Sequence, residues 1–229
     1  MPQQQGNFHP QPIHRIQHIG IIPDGGRRWA IANAVSLSES YETTRKKLAG
    51  FVGKIIGLGI SEISIYMSSR QNFKRQEYEI EAFTNQALLS LSTEVGIICN
   101  ELGLKVSVAG KLSHQSAGFI KTVEDLINET SNHAHGRLNL CIEYDPFDEI
   151  QYALNQLNKG DELWNGLWIK QPLDIVIRSG NANLLSNFLP LQSAYARLYF
   201  SEKLFNDLTW PDIESFINDY QSLERKYGD

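Results

Sequence analysis

The first residues that could do chemistry lie in a glycine-rich segment, Pro23-Asp24-Gly25-Gly26-Arg27-Arg28, which follows a short apolar run. Two glycines let a backbone approach a ligand closely, and the amide groups at the start of a following helix favour an anion. The guanidinium groups of Arg27 and Arg28 match phosphate oxygens. Asp24 is the one acid in the segment and could hold a divalent cation or exchange a proton. Taken alone, this composition fits a phosphate site and a solvated turn equally well.

Two further polar segments follow apolar runs. The segment 68–75 contains Ser69 and Asn72, and a second segment begins at Arg178 and continues through glycine, asparagine and serine residues to Ser186. Either segment alone is ordinary for a loop after a strand. Together with the first segment, they indicate a ligand that carries phosphate.

The order of the secondary-structure elements explains how these three segments could meet. Apolar or alternating runs predict strands at 17–22, 63–67, 105–109, 137–142, 173–178 and 196–200. Helical spacing predicts helices at 38–57, 77–102, 113–132, 148–158 and 211–226, the first capped by Ser38. This alternation predicts an α/β fold with a parallel sheet. Ligands of such sheets bind at the carboxyl ends of the strands, which is where all three polar segments begin.

The composition restricts the class of protein. The chain has 229 residues and a net charge of −5, and 41% of its residues are hydrophobic, as in a globular domain with its own core. The acidic balance disfavours a nucleic-acid binder. No apolar run is long enough for a transmembrane segment, and the first residues lack the apolar core of a signal peptide. We therefore predict a cytoplasmic protein with a flexible tail at 1–15 and a single domain at 16–229.

The three polar segments resemble, in order and spacing, the signature segments of the cis-prenyltransferases, the undecaprenyl diphosphate synthase family. Residues 18–30 resemble that family's H-x-x-I-I-M-D-G-N-G-R-W-A signature, and residues 66–75 resemble its Y-A-F-S-x-E-N-W-x-R segment. Residues 174–180 resemble its D-L-V-I-R-T-G-G segment, with S-N-F-L and A-Y-A following downstream. The likeness covers nearly the whole chain from residue 18 onward.

The resemblance implies an architecture and a chemistry. It implies a homodimer of α/β chains, each with a hydrophobic cleft for a prenyl chain, and isoprenyl diphosphate substrates, here of C5–C15. By this resemblance, Asp24 lies at the diphosphate and at Mg²⁺ and is central to catalysis. The resemblance places Asn72 and Arg75 at the reacting end of the substrate, and Asn72 is a further catalytic candidate.

The resemblance also implies a set of substrate-binding residues. The first segment is expected to bind the allylic diphosphate, and Arg178 with Ser186 is expected to hold the diphosphate of a second, acceptor substrate. Tyr41 and Ser69 are expected to contact substrate as well. The complete predicted binding set is Gly25, Gly26, Arg27, Arg28, Tyr41, Ser69, Arg75, Arg178 and Ser186.

Four departures from the family pattern bear on function. Leu184 stands where the family has an arginine two residues before the serine, which weakens the acceptor diphosphate site. Arg197 replaces a glutamate that completes the Mg²⁺ site from the partner subunit, which predicts a reduced dependence on Mg²⁺. Tyr41 stands at the position of a family histidine, and Arg27 at that of a glycine.

Three functions are compatible with this pattern. The first is irregular coupling of short allylic diphosphates, with or without cyclisation, because residues 23–29 and 35–41 are similar to the cyclolavandulyl diphosphate synthase branch. The second is a single-substrate terpene cyclase, for which a weakened second diphosphate site matters less. The third is a non-catalytic subunit of a cis-prenyltransferase complex, which the retained Asp24 segment disfavours. The departures also disfavour a housekeeping long-chain synthase.

Overall fold

The computed structural model of the chain describes residues 15–74 and 76–222. Within these residues, six parallel strands form one sheet with the order β3-β4-β2-β1-β5-β6. The strands are β1 (His18–Ile22), β2 (Glu62–Tyr66), β3 (Leu104–Ala109), β4 (Gly136–Cys141), β5 (Ile175–Arg178) and β6 (Arg197–Phe200). The central strands are continuous runs of buried residues, as expected where both faces of a sheet are covered.

Helices connect the strands and cover the sheet. They are α1 (Gly26–Ala32), α2 (Leu37–Gly57), α3 (Glu77–Ser92), α4 (Glu94–Glu101), α5 (Ala117–Glu129), α6 (Pro146–Gln156) and α7 (Trp210–Gln221). The larger core joins alternate strand residues such as Ile19 and Ile63 to α2, α4, α5 and α7. Residues of the opposite face, including Ile22 and Tyr66, pack against Phe188. None of the helices in the described ranges is long and apolar enough to cross a membrane.

The cap of α2 is Ser36, so the prediction of Ser38 was wrong. The Ser36 hydroxyl accepts a hydrogen bond from the Glu39 amide at 3.1 Å, and the Glu39 carboxylate accepts one from the Ser36 amide at 2.8 Å. This reciprocal capping box has the S-x-x-E pattern, which the sequence does contain. The Ser38 hydroxyl instead accepts a hydrogen bond from Gln86 on α3 at 2.8 Å.

The single helix predicted over 77–102 is two helices, α3 and α4, because Thr93 interrupts it. The Thr93 backbone has φ −122° and ψ −105°, outside the helical range. Its hydroxyl bonds to the Leu89 carbonyl and to the Glu94 carboxylate, and such local bonds compete with the helical backbone. The apolar spacing continues across the interruption, which is why periodicity alone predicted one helix.

The other helix boundaries shift by a few residues. Helix α5 begins at Ala117 rather than at 113, because the Ser116 hydroxyl caps the Phe119 amide at 3.2 Å. Helix α6 begins at Pro146, behind the side-chain cap of Asp145. The terminal helix predicted over 211–226 is observed as far as Gln221, and residues 223–229 lie outside the described residues. The predicted tail also lies outside them, apart from residue 15.

A buried polar cluster with His18 at one end lies on the face of the sheet opposite the larger core. The His18 Nδ1 donates to the Gln171 carbonyl at 2.9 Å, and its Nε2 lies 2.8 Å from the Ser64 hydroxyl. Asn139 donates to that same hydroxyl at 3.0 Å. Burial lowers the pKa of His18 below its ordinary value of 6.5 and outweighs the opposing influence of Glu62. The ring is therefore neutral in the folded protein at pH 7.

Candidate functional site

A cavity of about 830 Å³ opens at the carboxyl ends of β1, β2 and β5 and continues between α2 and α3. It is the place where the three polar segments meet, as the topology of a parallel sheet requires. The predicted site residues that line it are Asp24, Gly25, Gly26, Arg27, Arg28, Tyr41, Ser69, Asn72, Arg178 and Ser186. Arg75, the remaining predicted site residue, lies outside the described residues.

The centre of the cavity is an ion-pair network around Asp24. One carboxylate oxygen of Asp24 accepts a hydrogen bond from Arg178 at 2.9 Å, and the other accepts one from Arg28 at 3.3 Å. The Arg178 guanidinium also donates to the Ser186 hydroxyl and to the Leu184 carbonyl, both at 2.7 Å. Only 8% of the Arg178 side chain is exposed, against 52% of Arg28. Arg178 is therefore a fixed cation and Arg28 an accessible one.

Glycines and a serine hold the Asp24 loop in place. Gly25 has φ 116°, and a Cβ there would lie 2.9 Å from the Leu204 side chain. Gly180 has φ 88°, and a Cβ there would lie 2.7 Å from the Arg28 guanidinium. The Ser179 hydroxyl accepts from the Asp24 amide at 2.9 Å and donates to the Asp24 carbonyl at 2.8 Å. The loops after β1 and β5 therefore form one unit, in which Gly180 lies against the Asp24 backbone, and Gly25 packs against Leu204 of the loop after β6.

The Ser186 segment adopts an uncommon backbone conformation. Ser186 and Asn187 have φ 51° and 64°, in the left-handed region that non-glycine residues rarely adopt. The Tyr66 hydroxyl donates to the Ser186 carbonyl at 2.9 Å and, with Arg178, holds this turn. Burial raises the pKa of Tyr66 well above its usual range, so its hydroxyl stays a donor. Sequence reasoning placed Tyr66 at the start of a family segment but gave it no role, because a tyrosine that ends an apolar strand resembles a core residue.

The second polar segment forms a 3₁₀ helix, Arg70–Lys74, at the end of β2. The Asn72 carboxamide oxygen accepts a hydrogen bond from the Ser69 amide at 2.8 Å, so this side chain shapes its own turn. The Arg70 guanidinium lies 3.6 Å from the Asp148 carboxylate, which ties the segment to α6. Both Ser69 and Asn72 reach the cavity from this anchored turn.

An ion pair spans the mouth of the cavity between α1 and α3. The Arg27 guanidinium donates to the Glu79 carboxylate at 3.1 Å, and both residues line the cavity. Sequence reasoning assigned Arg27 to phosphate binding and did not find Glu79. The signal for Glu79 is weak, because an acidic residue in the first turn of a helix is common without any ligand. Arg27 has an internal partner that a phosphate would have to displace.

The inner part of the cavity is a groove between α2 and α3. Tyr41 and Phe83 line it and contact each other edge to face, with ring centroids 5.8 Å apart. Leu48, Ile65 and Ala87 line the groove further in. These side chains are suited to a hydrocarbon chain, because contact with them removes apolar surface from water. The groove therefore offers an apolar compartment next to a cationic one.

Arg197 is the first residue of β6 and lies away from the cavity of its own chain. It pairs with Ile175, whereas Arg178, three residues further along β5, reaches the cavity. About half of the Arg197 side chain is exposed, and its guanidinium lies 3.9 Å from Asp219 and 5.8 Å from the Tyr199 ring centroid. Arg197 could therefore contact an active site only in a second copy of the chain.

The residues around Asp24 fit a magnesium ion only in part. Over residues 15–74 and 76–222, no group of three or more His, Cys, Asp or Glu side chains could hold a metal ion. Mg²⁺ is commonly bound by one or two carboxylates together with substrate phosphates, so a preformed cage is not required. Asp24 lines the cavity and is about one-third exposed. It fits an ion that is shared with a diphosphate.

Comparison with known proteins assigns the fold and the site to a family. The model of the family described as putative undecaprenyl diphosphate synthase matches residues 22–228 of the chain. The chain belongs to this family, the cis-prenyltransferases. The match includes all three polar segments, so the family prediction made from those segments is confirmed.

Curated relatives of this cis-prenyltransferase agree with that assignment. The isoprenyl transferase of Rickettsia typhi is 30% identical over 222 residues, which cover 93% of this chain and 98% of the relative. The isoprenyl transferase of Treponema denticola is 31% identical over 227 residues, covering 93% and 97%. The likeness thus extends over nearly the full length of proteins that are prenyltransferases, and the predicted enzyme class is confirmed.

Solved structures confirm the predicted fold class of this cis-prenyltransferase. Lavandulyl diphosphate synthase from Lavandula x intermedia, in complex with dimethylallyl diphosphate, superposes with a TM-score of 0.87 at 22% identity, over 93% of this chain and 98% of that one. A probable undecaprenyl diphosphate synthase from Campylobacter jejuni superposes with a TM-score of 0.77 at 27% identity, over 94% and 99%. At 22% identity, the first likeness shows the fold alone.

Proposed function

We propose that this cis-prenyltransferase couples short isoprenyl diphosphates of C5–C15 by an irregular, lavandulyl-type reaction, with or without cyclisation. The observation that carries the proposal is the cavity itself, in which a cationic compartment around Asp24 adjoins the apolar groove between α2 and α3. A diphosphate fits the first compartment and a prenyl chain fits the second. The volume of about 830 Å³ lies within the range of about 300–1,000 Å³ that holds ligands of drug-like size.

The donor diphosphate is assigned to the loop after β1. The glycines of this loop allow close approach, and Arg28 is accessible for a charge-assisted contact with a phosphate oxygen. Arg27 joins it by exchanging its contact with Glu79 for the diphosphate. The prenyl chain then extends past the contacting rings of Tyr41 and Phe83 toward Leu48, Ile65 and Ala87.

The reaction begins when the bond between the allylic carbon and the diphosphate oxygen breaks, and the electron pair leaves with the oxygen. Arg27 and Arg28 stabilise the negative charge that develops there. Mg²⁺, held by Asp24 and the diphosphate, would neutralise further charge when bound. The double bond of the second substrate attacks the allylic cation and forms the new carbon–carbon bond. Loss of a proton then restores an uncharged carbon skeleton, which keeps the diphosphate of the second substrate, and Asp24 is a carboxylate in the cavity that could accept this proton.

Leu184 disfavours a long-chain synthase. The irregular reaction itself is proposed because residues 23–29 and 35–41 are similar to the cyclolavandulyl diphosphate synthase branch. The leucine side chain lines the cavity beside the acceptor candidates, Arg178 and Ser186, and contributes no charge. Arg178 is also engaged by Asp24. An acceptor diphosphate would therefore find fewer free cations than the family pattern provides. This also favours the second candidate function, a cyclase that binds only one diphosphate.

We infer that the active form is a homodimer joined beside β6. This strand forms the end of the sheet and, within the described residues, pairs only with β5. Its outer edge is open for contact with another chain, and Leu198 is exposed on it. A copy packed there would bring Arg197 toward the partner's cavity, where the family pattern has a glutamate.

The test is a product analysis. The purified protein is incubated with C5, C10 and C15 allylic diphosphates, singly, in pairs and with isopentenyl diphosphate, with and without Mg²⁺, and the products are identified by mass spectrometry. Branched or cyclic products of two allylic units are expected. Product from a single diphosphate would support the cyclase, long linear chains would overturn the short-chain proposal, and no turnover would support a non-catalytic subunit.

A further inference from the structure

We propose that Glu143 is a positioning residue, which holds the turn that carries Ser69 and Asn72 in the geometry needed for turnover. Glu143 follows β4 and is not among the described residues that line the cavity. It acts through Ser68, which is nearly buried and does line the cavity. The inference deepens the proposed function and rests on it, because Ser69 and Asn72 are candidate residues of the proposed active site.

Glu143 combines two features that are costly unless the surrounding structure requires them. Its backbone has φ 51°, in the left-handed region that residues other than glycine rarely adopt. Its side chain is only 1% exposed, and a buried carboxylate has to be hydrogen-bonded or paired. Such a residue persists only where its contacts fix it, and these contacts indicate what it does.

The carboxylate of Glu143 is bound by the loop after β3. Its oxygens accept hydrogen bonds from the Ser113 hydroxyl at 3.0 Å, from the His114 amide at 3.1 Å and from the Gln115 carboxamide at 2.9 Å. Gly110, at the start of this loop, packs so closely that a Cβ there would clash with the carbonyl oxygen of the residue before Glu143. The loop after β3 is therefore fastened to the chain that follows β4.

The backbone after β4 is in turn bound to the segment after β2. The Glu143 amide donates to the Ser68 hydroxyl at 3.0 Å, and the Tyr144 amide donates to the Ser68 carbonyl at 3.1 Å. Ser69 and Tyr144 form a parallel bridge beyond the end of the strands. The Ser69 amide then donates to the Asn72 carboxamide oxygen at 2.8 Å, which closes the turn at the cavity. Contacts therefore run without a break from the loop after β3, through Glu143, to Asn72.

A surface ion-pair cluster joins the same three segments a second time. The Asp148 carboxylate on α6 lies 2.7 Å from Lys111, after β3, and 3.6 Å from Arg70, after β2. Both cations are more than half exposed, and exposed ion pairs contribute little. Glu143 makes its contacts away from water, where hydrogen bonds to a charged group are stronger. Glu143, rather than Asp148, therefore holds the turn.

The proposed reaction should be sensitive to small displacements of this turn. A shift of about 1 Å in groups that orient a substrate can cost about a hundredfold in rate. Within the described residues, Glu143 makes no hydrogen bond or ion pair with Arg27 or Arg28, the cations assigned to the donor diphosphate. Loss of its carboxylate should therefore lower kcat more than it raises the KM for the donor.

The test compares kcat and donor KM of Glu143→Ala and Glu143→Gln with those of the parent and of Asp174→Ala. Turnover is followed as diphosphate released from C5, C10 and C15 allylic diphosphates. For Glu143→Ala, we expect kcat to fall at least tenfold and the donor KM to change less than threefold. Glu143→Gln keeps an acceptor oxygen and should recover kcat to within threefold of the parent.

Asp174→Ala is the matched control, because the Asp174 carboxylate also joins distant segments. It accepts hydrogen bonds from the Gln17 amide at 2.8 Å and from the Tyr220 hydroxyl at 3.0 Å, at the opposite end of the sheet. Its loss should lower the melting temperature and leave kcat within twofold of the parent well below that temperature. An equal loss of kcat in Asp174→Ala and Glu143→Ala would overturn the positioning role.

A double-mutant cycle with Asn72→Ala separates positioning from a general loss of stability. Because Glu143 acts through the turn, Glu143→Ala should lower kcat at most twofold once Asn72→Ala has removed the positioned side chain. Asp174→Ala should change kcat by the same factor with and without Asn72→Ala. Full multiplication of the Glu143→Ala and Asn72→Ala effects would overturn the proposal, as would parent-like kcat of a folded Glu143→Ala protein.

The design separates this inference from the proposed function. If the parent releases no diphosphate from any allylic substrate, the proposed function is wrong and the positioning role fails with it. If the parent turns over but the variants fail the comparisons, the positioning role alone is wrong. Should circular dichroism show that Glu143→Ala does not fold, Gln115→Ala decides, because it removes one hydrogen bond to the same carboxylate from outside the cavity. We expect its kcat to fall at least threefold at an unchanged donor KM, and a parent-like kcat overturns the role.

Discussion

The Arg178 guanidinium lies 2.9 Å from the Asp24 carboxylate, although 154 residues separate them in the chain. The pair joins the loop that is assigned to the donor diphosphate with the loop assigned to the acceptor. Arg178 is also nearly buried, and its Nε has no hydrogen-bond partner within the described part of the chain. The two proposed half-sites therefore share one ion pair, and a ligand in either must change the charge that the other experiences.

Asp24→Ala should lower turnover by at least about a hundredfold, the order of effect seen when one group that stabilises developing charge is removed. The melting temperature should fall, because the nearly buried Arg178 loses its carboxylate partner, but the contacts of Arg178 with Ser186 and with the Leu184 carbonyl should keep the variant folded. Steady-state kinetics and thermal melting check this prediction. Asp125→Ala is the control, since Asp125 is exposed and pairs with Lys121 on its own helix. Parent-like turnover of Asp24→Ala would exclude Asp24 from the catalytic step.

Arg178→Ala should separate a two-substrate enzyme from a cyclase. A charge-assisted contact with phosphate contributes about 1.5–3 kcal/mol, so we expect the KM for the acceptor to rise tenfold or more. The KM for the allylic donor should change much less. Arg28→Ala is the matched variant and should show the opposite preference, because Arg28 is the accessible cation of the donor loop. Equal effects of both variants on every substrate would exclude a distinct acceptor site.

Arg197→Glu should make turnover depend more steeply on Mg²⁺ than it does in the parent. A guanidinium offers bidentate contacts to phosphate and repels a cation, whereas a carboxylate is a magnesium ligand. The measurement is a Mg²⁺ titration of turnover, accompanied by analytical ultracentrifugation because Arg197 is proposed to act on the partner's cavity. Arg197→Gln is the control that removes the charge without supplying a ligand. Identical titrations of Arg197→Glu and the parent would exclude Arg197 from the site.

The fold and the position of the site could be predicted because both depend on local patterns. Short apolar runs gave the six strands, and a parallel sheet brings the loops that follow its strands to one edge. Asp24, Arg178 and Ser186 therefore meet as the topology requires. The interruption at Thr93 could not be predicted from periodicity, because the apolar spacing of α3 continues into α4.

The groove residues could not be predicted, because their roles depend on contacts between helices. Arg45, which lines the cavity, looks like a surface residue of an amphipathic helix, and only the packing of α2 against α3 turns it toward Gln86. Glu79 is likewise an ordinary first-turn acid until Arg27 is found opposite it. Such contacts depend on helix orientation, which no short segment of sequence specifies.

His18 predicts how stability depends on pH. Burial lowers its folded-state pKa below the ordinary value of 6.5, so below about pH 6.5 the unfolded chain binds the proton that the folded protein excludes. The stabilising contribution is present above pH 6.5 and is lost as the pH falls, by up to about 1.4 kcal/mol per pH unit. His18→Gln removes the titrating group and retains an amide that can hydrogen-bond to Ser64. Urea unfolding of both proteins between pH 7.5 and pH 5 should therefore show the parent losing stability more steeply than the variant. A difference between the two proteins that does not vary with pH would show that His18 does not titrate between the two states.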